Sequence, residues 1–278
     1  MALSERQLAA FASKLAAQIP FDTGPRHLAG PGDVRHVTHG LAATGWVLHS
    51  DPLSSEILLR SPDHRYRLQF DPQSSTSAWW RLHAEHTDTA PGWYAEFGEL
   101  VPAEVLATVT DSLIGRPPQH PDPWQPVTAH GWDRDGENTA HSPDSLCHVE
   151  LRPLDEFHDH SSWHVETREF ADRRFPGPRG WHAYFTERTP APLITAFLTA
   201  LTDPAPLQRG MYERTGHHSA MKEPSPLRPE QVADAHAARI NALRARARSA
   251  RRQQTKTTSA PTTSTATAPA PTRPASRR

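Results

Sequence analysis

Cysteine is nearly absent from the 278-residue chain: Cys147 stands alone, which excludes an internal disulfide. Lysine (Lys14, Lys222, Lys256) and asparagine (Asn138, Asn241) are almost as rare, while arginine, alanine and proline abound. That bias matches a GC-rich coding sequence, so arginine in place of lysine is not by itself a phosphate-binding signal. No apolar run approaches the ~18 residues of a membrane-spanning helix, and Met1-Ala2-Leu3-Ser4-Glu5-Arg6 lacks the basic-then-apolar order of a signal peptide. Both absences predict a soluble cytoplasmic protein with no membrane partner. Catalytic signatures are missing too: there is no Gly-x-Ser-x-Gly elbow, no His-Glu-x-x-His helix, no cysteine pair for zinc and no glycine-rich phosphate loop. The chain therefore reads as a non-enzyme without a cofactor.

What is present is unevenly placed. The apolar fraction, 36 %, is low and the 28 prolines are many, so part of the chain lies outside any core. Residues 226–278 hold eleven Arg/Lys against two acids, Glu230 and Asp234, a net of +9; the formal total of −1 then leaves −1 − 9 = −10 on residues 1–225. An acidic body precedes a basic tail. Glu230 to Arg252 is rich in Ala and Arg with no internal Pro or Gly, which favours a helix with a thin apolar stripe of Val232, Ile240 and Leu243. Thr255 to Arg278 has no aromatic to repay the entropy of ordering, and reads as disordered.

Within the body one stretch is written twice. Gly92-Trp93-Tyr94-Ala95-Glu96-Phe97 leads to Pro102 and an apolar helix; Gly180-Trp181-His182-Ala183-Tyr184-Phe185 leads to Pro190 and another. Upstream, Tyr66, Leu68 and Phe70 alternate with Arg65, Arg67 and Gln69, and Trp80, Leu82 and Ala84 alternate with Trp79, Arg81, His83 and Glu85, the period of half-buried strands. The second copy answers with Cys147, Val149 and Leu151, then Trp163 and Val165. Gly131-Trp132 answers Gly45-Trp46, and the turn Ser142-Pro143-Asp144 answers Ser61-Pro62-Asp63. Helix positions Val105, Leu106, Val109 and Leu113 recur as Leu193, Ile194, Phe197 and Leu201. The extra residues of the second copy fall in turns, as a structural repeat requires.

Trp46-Val47-Leu48-His49 reads as a strand and Glu56-Ile57-Leu58-Leu59-Arg60 as its partner, ahead of a meander of three or four short strands. The pattern predicts an α+β fold: two tandem antiparallel β-meander-plus-helix repeats, related by a pseudo-two-fold, with helices on one face and sheets side by side or continuous. A capping box, Ser4-Glu5-Arg6-Gln7, opens an N-terminal amphipathic helix carrying Leu8, Phe11, Leu15 and Ile19 until Pro20 stops it. A short helix capped by Asp33, with Val34, Val37 and Leu41 inward, is expected to end at Gly45. The segments are 1–25 (helix and connector), 26–118 (first repeat), 119–210 (second repeat), 211–254 (linker and Arg-rich helix) and 255–278 (tail). Proline-rich residues 116–126 join the copies, and the stretch 202–206 closes the folded body.

These residues resemble a known family. His27-Leu28-Ala29-Gly30, Gly32-Asp33-Val34-Arg35-His36-Val37-Thr38, Ser61-Pro62-Asp63, Trp79-Trp80-Arg81-Leu82 and the run from Gly92 to Glu104 are similar, in that order, to the actinobacterial "domain of unknown function 317" family. The resemblance spans about residues 26–210 in tandem copies. It implies an actinobacterial, streptomycete-like source and no activity. The second copy departs from the pattern in its loops, where Glu156-Phe157-His158-Asp159-His160 is inserted.

Eighteen histidines make a transition metal the first candidate ligand. His158, Asp159, His160 and His164 lie within seven residues, and imidazole with carboxylate is a legitimate zinc set. No supporting second layer accompanies them, so surface histidines explain the loop and no metal is assigned. His36 and His39 share one helix face and read as lining the repeat boundary, rather than as acid/base groups. Cys147 is equivalent to Tyr66 and reads as core, not as a nucleophile. Paired tryptophans (Trp46/Trp132, Trp80/Trp163, Trp93/Trp181) read as duplicated core aromatics rather than a base-stacking platform.

Two surfaces remain. The outward strand positions Arg67, Arg81, His83, Tyr94, Glu96, His164, Arg168, His182 and Tyr184 mix charge with aromatics, the composition of a protein-binding face, against the plain alternative of a solvated sheet. Arg244, Arg246, Arg248, Arg251 and Arg252 are phosphate candidates, though they encircle the helix rather than form a stripe. The expected function is a non-catalytic intracellular module binding an unidentified protein or peptide. The alternative is an accessory nucleic-acid-binding protein acting through the tail, and the outsider a metal-dependent enzyme using the His/Asp cluster. Internal duplication supplies symmetry within one chain, which predicts a monomer or weak oligomer.

Overall fold

The computed structural model describes residues 3–51, 53–114, 122–154, 160–169 and 177–258. One unit, a helix, five strands and a second helix, occurs twice. The first copy runs α2 (Arg35–Ala43), β2 (Val47–Leu48), β3 (Ile57–Arg60), β4 (Tyr66–Phe70), β5 (Ala78–Ala84), β6 (Trp93–Gly98) and α3 (Ala103–Ser112). The second runs α4 (Trp124–Ala129), β7 (Asp133–Asp135), β8 (Thr139–His141), β9 (Cys147–Arg152), β10 (Ser162–Arg168), β11 (Arg179–Thr186) and α5 (Ala191–Thr202). Before them come α1 (Glu5–Ala16) and β1 (Pro20–Gly24); after them come β12 (Leu207–Gly210), β13 (Met221–Pro224) and α6 (Pro229–Thr258).

The two meanders fuse into a single ten-stranded sheet of order β2-β3-β4-β5-β6-β11-β10-β9-β8-β7. The seam is the antiparallel pair β6–β11, with Ala95 opposite Phe185, Glu96 opposite Tyr184 and Phe97 opposite Ala183. Each Ala faces the other copy's Phe, so small and large side chains interlock across a pseudo-two-fold through Glu96 and Tyr184. Phe97 and Phe185 meet edge to face at 5.4 Å, and Phe197 of α5 stacks on Phe97 at 5.7 Å. α3 and α5 pack on each other beneath this seam, with α2 against α3 and α4 against α5. Both strand and helix apolar positions of the two copies enter one continuous core.

Local chemistry explains why the copies fold alike. After α2 and α4 the chain reverses at Gly45 (φ 94°) and Gly131 (φ 72°), a left-handed conformation that only glycine takes without cost. Equivalent bonds, Trp46 N–H to Leu41 O and Trp132 N–H to Val127 O, both 3.1 Å, then close each helix end. The Ser-Pro-Asp turns also match. Ser61 Oγ donates to Asp63 Oδ1 and accepts from the Tyr66 N–H, and Ser142 does the same with Asp144 and Cys147.

The structure departs from the sequence reading in several places. β2 and β3 fall at the expected strand and its partner but join the edge of the meander, so the first repeat has five strands in one sheet, and β7 and β8 give the second the same number. α1 has the expected capping box but ends at Ala16; Ile19, expected on its buried stripe, is exposed because the chain turns there into β1. Asp33 accepts from the Arg35 N–H at 2.9 Å from two residues ahead of α2, and Val34 holds the cap position. The folded body does not close at residues 202–206: β1 pairs with both β12 and β13 in a second, three-stranded sheet that joins the chain's beginning to residues beyond 206. These strands are four or five residues long and carry Pro or Gly, so local pattern could not reveal them. Arg209 of β12 locks this sheet down. Its guanidinium is buried and binds Glu104 of α3 (2.6 and 3.0 Å) and the carbonyls of Ala29 and Gly30. α6 extends to Thr258, so residues 255–258 of the expected tail continue the helix; residues 259–278 and residues 115–121 of the connector lie outside the described residues.

Candidate functional site

Because α2 to α5 sit against the core side of the large sheet, the alternate strand positions face the other way. Cross-strand pairing sets them in rows. Gln69, Arg81, Glu96, Tyr184, His164 and Glu150 form one row across the seam, and Arg60, Arg67, His83 and Tyr94 form part of the next. Arg67, Arg81, His83, Tyr94, Glu96, His164, Arg168 and Tyr184 are all partly exposed. His182 is the exception and is buried, since its neighbour across the seam, Gly98, leaves room: a Cβ there would come within 3.2 Å of the His182 backbone nitrogen.

Glu96, on the pseudo-axis, is clasped by two equivalent positions of the repeat. Tyr94 Oη donates to Glu96 Oε2 at 2.7 Å, and His182 Nε2 lies 3.3 Å from Glu96 Oε1. The His182 hydrogen bond, then that of Tyr94, outweighs burial and holds the Glu96 carboxyl below its ordinary range. Burial, with the adjacent carboxylate, pushes the Tyr94 phenol up, so it stays a neutral donor. Around this centre, His164 packs edge-on to Tyr184 at 5.0 Å and bonds Ser162 Oγ at 2.9 Å. Arg81 donates to Ser74 Oγ and Thr76 Oγ1, His83 Nδ1 lies 3.5 Å from Glu85, and Arg168 pairs with Glu166 at 2.6 Å. Tyr94 and Tyr184 line a hollow of about 390 Å³ with His83, His160, Glu187 and Arg188 on its walls. Arg60 beside Arg67 makes one end of the face positive. The arrangement offers aromatic surface and polar groups, of which Arg81, Tyr94, Glu96, His164 and Arg168 are hydrogen-bonded, while His83 Nδ1 and His182 Nδ1 are buried without a hydrogen-bond partner.

The other sequence candidates are not assembled into sites. His158 and Asp159 lie outside the described residues. His160 is exposed, 3.8 Å from Glu187, while His164 sits on the sheet face. Among the described residues no three His, Cys, Asp or Glu side chains are grouped to hold a metal. Cys147 is fully buried, and burial raises its thiol well above the ordinary range. The arginines of α6 are turned substantially to the body. Arg239 forms a two-pronged pair with Asp111 (2.7 Å each), and Arg244, Arg246 and Arg251 donate to the carbonyls of Leu3, Ile114 and Thr44. Arg248 is exposed, as is Arg252, which has a partner of its own.

Two constellations had no local signature. His27 Nε2 meets the Asp144 carboxylate of the second copy at 2.8 Å, while its carbonyl accepts from Trp181 Nε1, also at 2.8 Å. His236 of α6 joins His36 and His39 around the ring of Phe11.

The fold and its seam define an internally duplicated α+β protein with one fused antiparallel sheet. A family model described as SPDY, domain of unknown function (DUF317), matches two stretches in tandem, residues 60–119 and 141–207. Both matches open one residue before a Ser-Pro-Asp turn and leave out α2 and α4. No curated protein and no solved structure matches the chain. No described helix is long and apolar enough to cross a membrane.

Proposed function

We propose that the protein is a non-catalytic interaction module whose open sheet face binds a protein or peptide. The observation that carries this reading is the hollow beside the seam: Tyr94 of one copy and Tyr184 of the other line the same cavity, so this surface exists only because the repeats are fused. Tyrosine and arginine amid mixed charge are residues that interfaces favour. The positive Arg60–Arg67 end supports a partner that brings an acidic group to it. Glu96, held ionised between a neutral phenol and an imidazole, supports recognition over proton transfer. Nucleic-acid contact through α6 gains less support, since Arg239, Arg244, Arg246 and Arg251 are bonded to the body. Arg81→Ala, His164→Ala and Tyr184→Ala together test the proposal in affinity purification from the native host. Loss of a co-purifying protein with an unchanged circular dichroism spectrum is expected; retention of every partner by the triple variant overturns it.

A further inference from the structure

The repeats carry twin clefts. Each lies between a Ser-Pro-Asp turn, the Gly-Trp step after α2 or α4, and the C-terminal end of α3 or α5. In the first repeat Thr44, Trp46, Pro62, Asp63, Leu113 and Ile114 line about 580 Å³. In the second, the equivalent His130, Trp132, Pro143, Asp144, Leu201 and Thr202 line about 570 Å³.

The C-terminal end of a helix exposes unpaired carbonyls and the negative end of its dipole, which cations satisfy. In the first repeat α6 lies along the cleft through Ala247, Ala250 and Arg251, and it supplies two guanidiniums. Arg246 donates to Ile114 O just beyond α3 (2.7 Å), and Arg251 to Thr44 O at the end of α2 (2.9 Å). In the second repeat Arg26 takes the first of these roles, donating to Ala200 O in α5 at 2.9 Å and pairing with Asp203 at 2.8 Å. The second role is unfilled. Among the described residues no side chain donates to the carbonyl of His130, the equivalent of Thr44, and the His130 ring is turned to Pro126 O and Thr202 Oγ1 instead.

Negative charge is gathered at the same place. Asp22 and Glu223 line this cleft from directly opposed positions on β1 and β13, and neither forms an ion pair among the described residues. Like charges so placed repel unless a cation lies between them. Trp132, Leu201, Pro143 and Pro206 supply apolar walls on which an aliphatic stem can lie.

We propose that the second-repeat cleft binds an arginine side chain of a partner protein, in the place that Arg251 holds within the chain in the first repeat. The guanidinium takes the His130 carbonyl and the carboxylates of Asp22 and Glu223 as its acceptors. The proposal rests on the twin clefts and not on the open sheet face.

The test is isothermal titration of the full chain with a peptide of its own residues 244–253, Arg-Ala-Arg-Ala-Arg-Ser-Ala-Arg-Arg-Gln. The expected result is one binding site, weakened at least about tenfold by Asp22→Asn with Glu223→Gln, and weakened when every arginine of the peptide is lysine, which lacks the planar fork. Asp22 is only partly buried and Glu223 is exposed, so the double variant is expected to keep its fold, checked by circular dichroism. No binding, or binding that the double variant leaves unchanged, overturns the proposal. The Arg81/His164/Tyr184 alanine variant separates the two readings: it is expected to bind the peptide normally, and loss there would put the peptide on the open face instead.

Discussion

Asp144 and Asp63 occupy the same position of the same turn, yet only Asp144 joins two parts of the molecule. Each takes the hydroxyl of the turn serine at 2.5 Å. Asp144 alone also receives His27, from 117 positions earlier in the chain. Burial pushes its carboxyl up, but the hydrogen bonds from His27 and Ser142 outweigh it and lower the pKa to about 2. A carboxylate whose folded pKa is depressed contributes stability above its unfolded value, near 3.8, and loses it as pH falls toward 2. Asp144→Asn is therefore expected to cost about 1–2 kcal/mol at neutral pH, after allowance for its partial exposure, and to flatten the stability profile between pH 4 and 2. Asp63→Asn is expected to cost about 0.5 kcal/mol or less. Urea unfolding across pH measures both. The turns were legible in the sequence because Ser, Pro and Asp act on their own backbone. Their different uses were not, because nothing local marks His27 as the partner of one and not the other.

At the scale of elements, α6 is where sequence and structure differ most. Composition marks a basic helix with a thin stripe of Val232, Ile240 and Leu243. The buried stripe is His236, Ile240, Leu243 and Ala247, docked on Leu3, Ile114, Leu8, Ala42 and Ala43. A histidine and an alanine complete the stripe, and hydropathy gives little weight to either. His236 lies 4.2 Å from the Phe11 ring, and its Nε2 is 3.1 Å from His39 Nδ1. Arg35, His36 and Asp33 face this cluster from the α2 side, Glu104 from α3, and Arg239 from α6 itself. Burial first, then the neighbouring imidazoles and guanidiniums, lowers His236 to about 3; burial and Arg35 lower His39 to about 4, and His36 is lowered as well. These groups bind protons more readily when unfolded, so the docked helix is most stable above about pH 6.5 and weakens as pH falls toward 4. The protection of α6 amides against hydrogen exchange, corrected for an intrinsic rate that itself slows as pH falls, is expected to decrease between pH 7 and 5. His236→Leu is expected to reduce that dependence; an unchanged dependence would mean that these rings do not govern the docking.

For the whole molecule, the duplication, the inward Trp-x-Ala-x-Phe letters and the helices on one face were readable because both copies repeat the same alternation. The pattern leaves open whether the two sheets lie side by side or run on as one, because the β6–β11 register depends on Ala95 and Phe97 meeting Phe185 and Ala183 across the pseudo-axis. The candidate face was half legible. Alternation placed Tyr94, Glu96 and Tyr184 outward, but it also placed His182 there, which the gap at Gly98 lets sink beneath Glu96. Fusion brings the two tyrosines together, and the proposed binding face follows from it. Photocrosslinking in the native host tests that claim most directly, with a photoreactive residue replacing Tyr184 on the open face or Arg248 on the exposed side of α6. A partner adduct from position 184 and none from position 248 is the predicted result. Adducts from position 248 alone, or none from position 184, would contradict it.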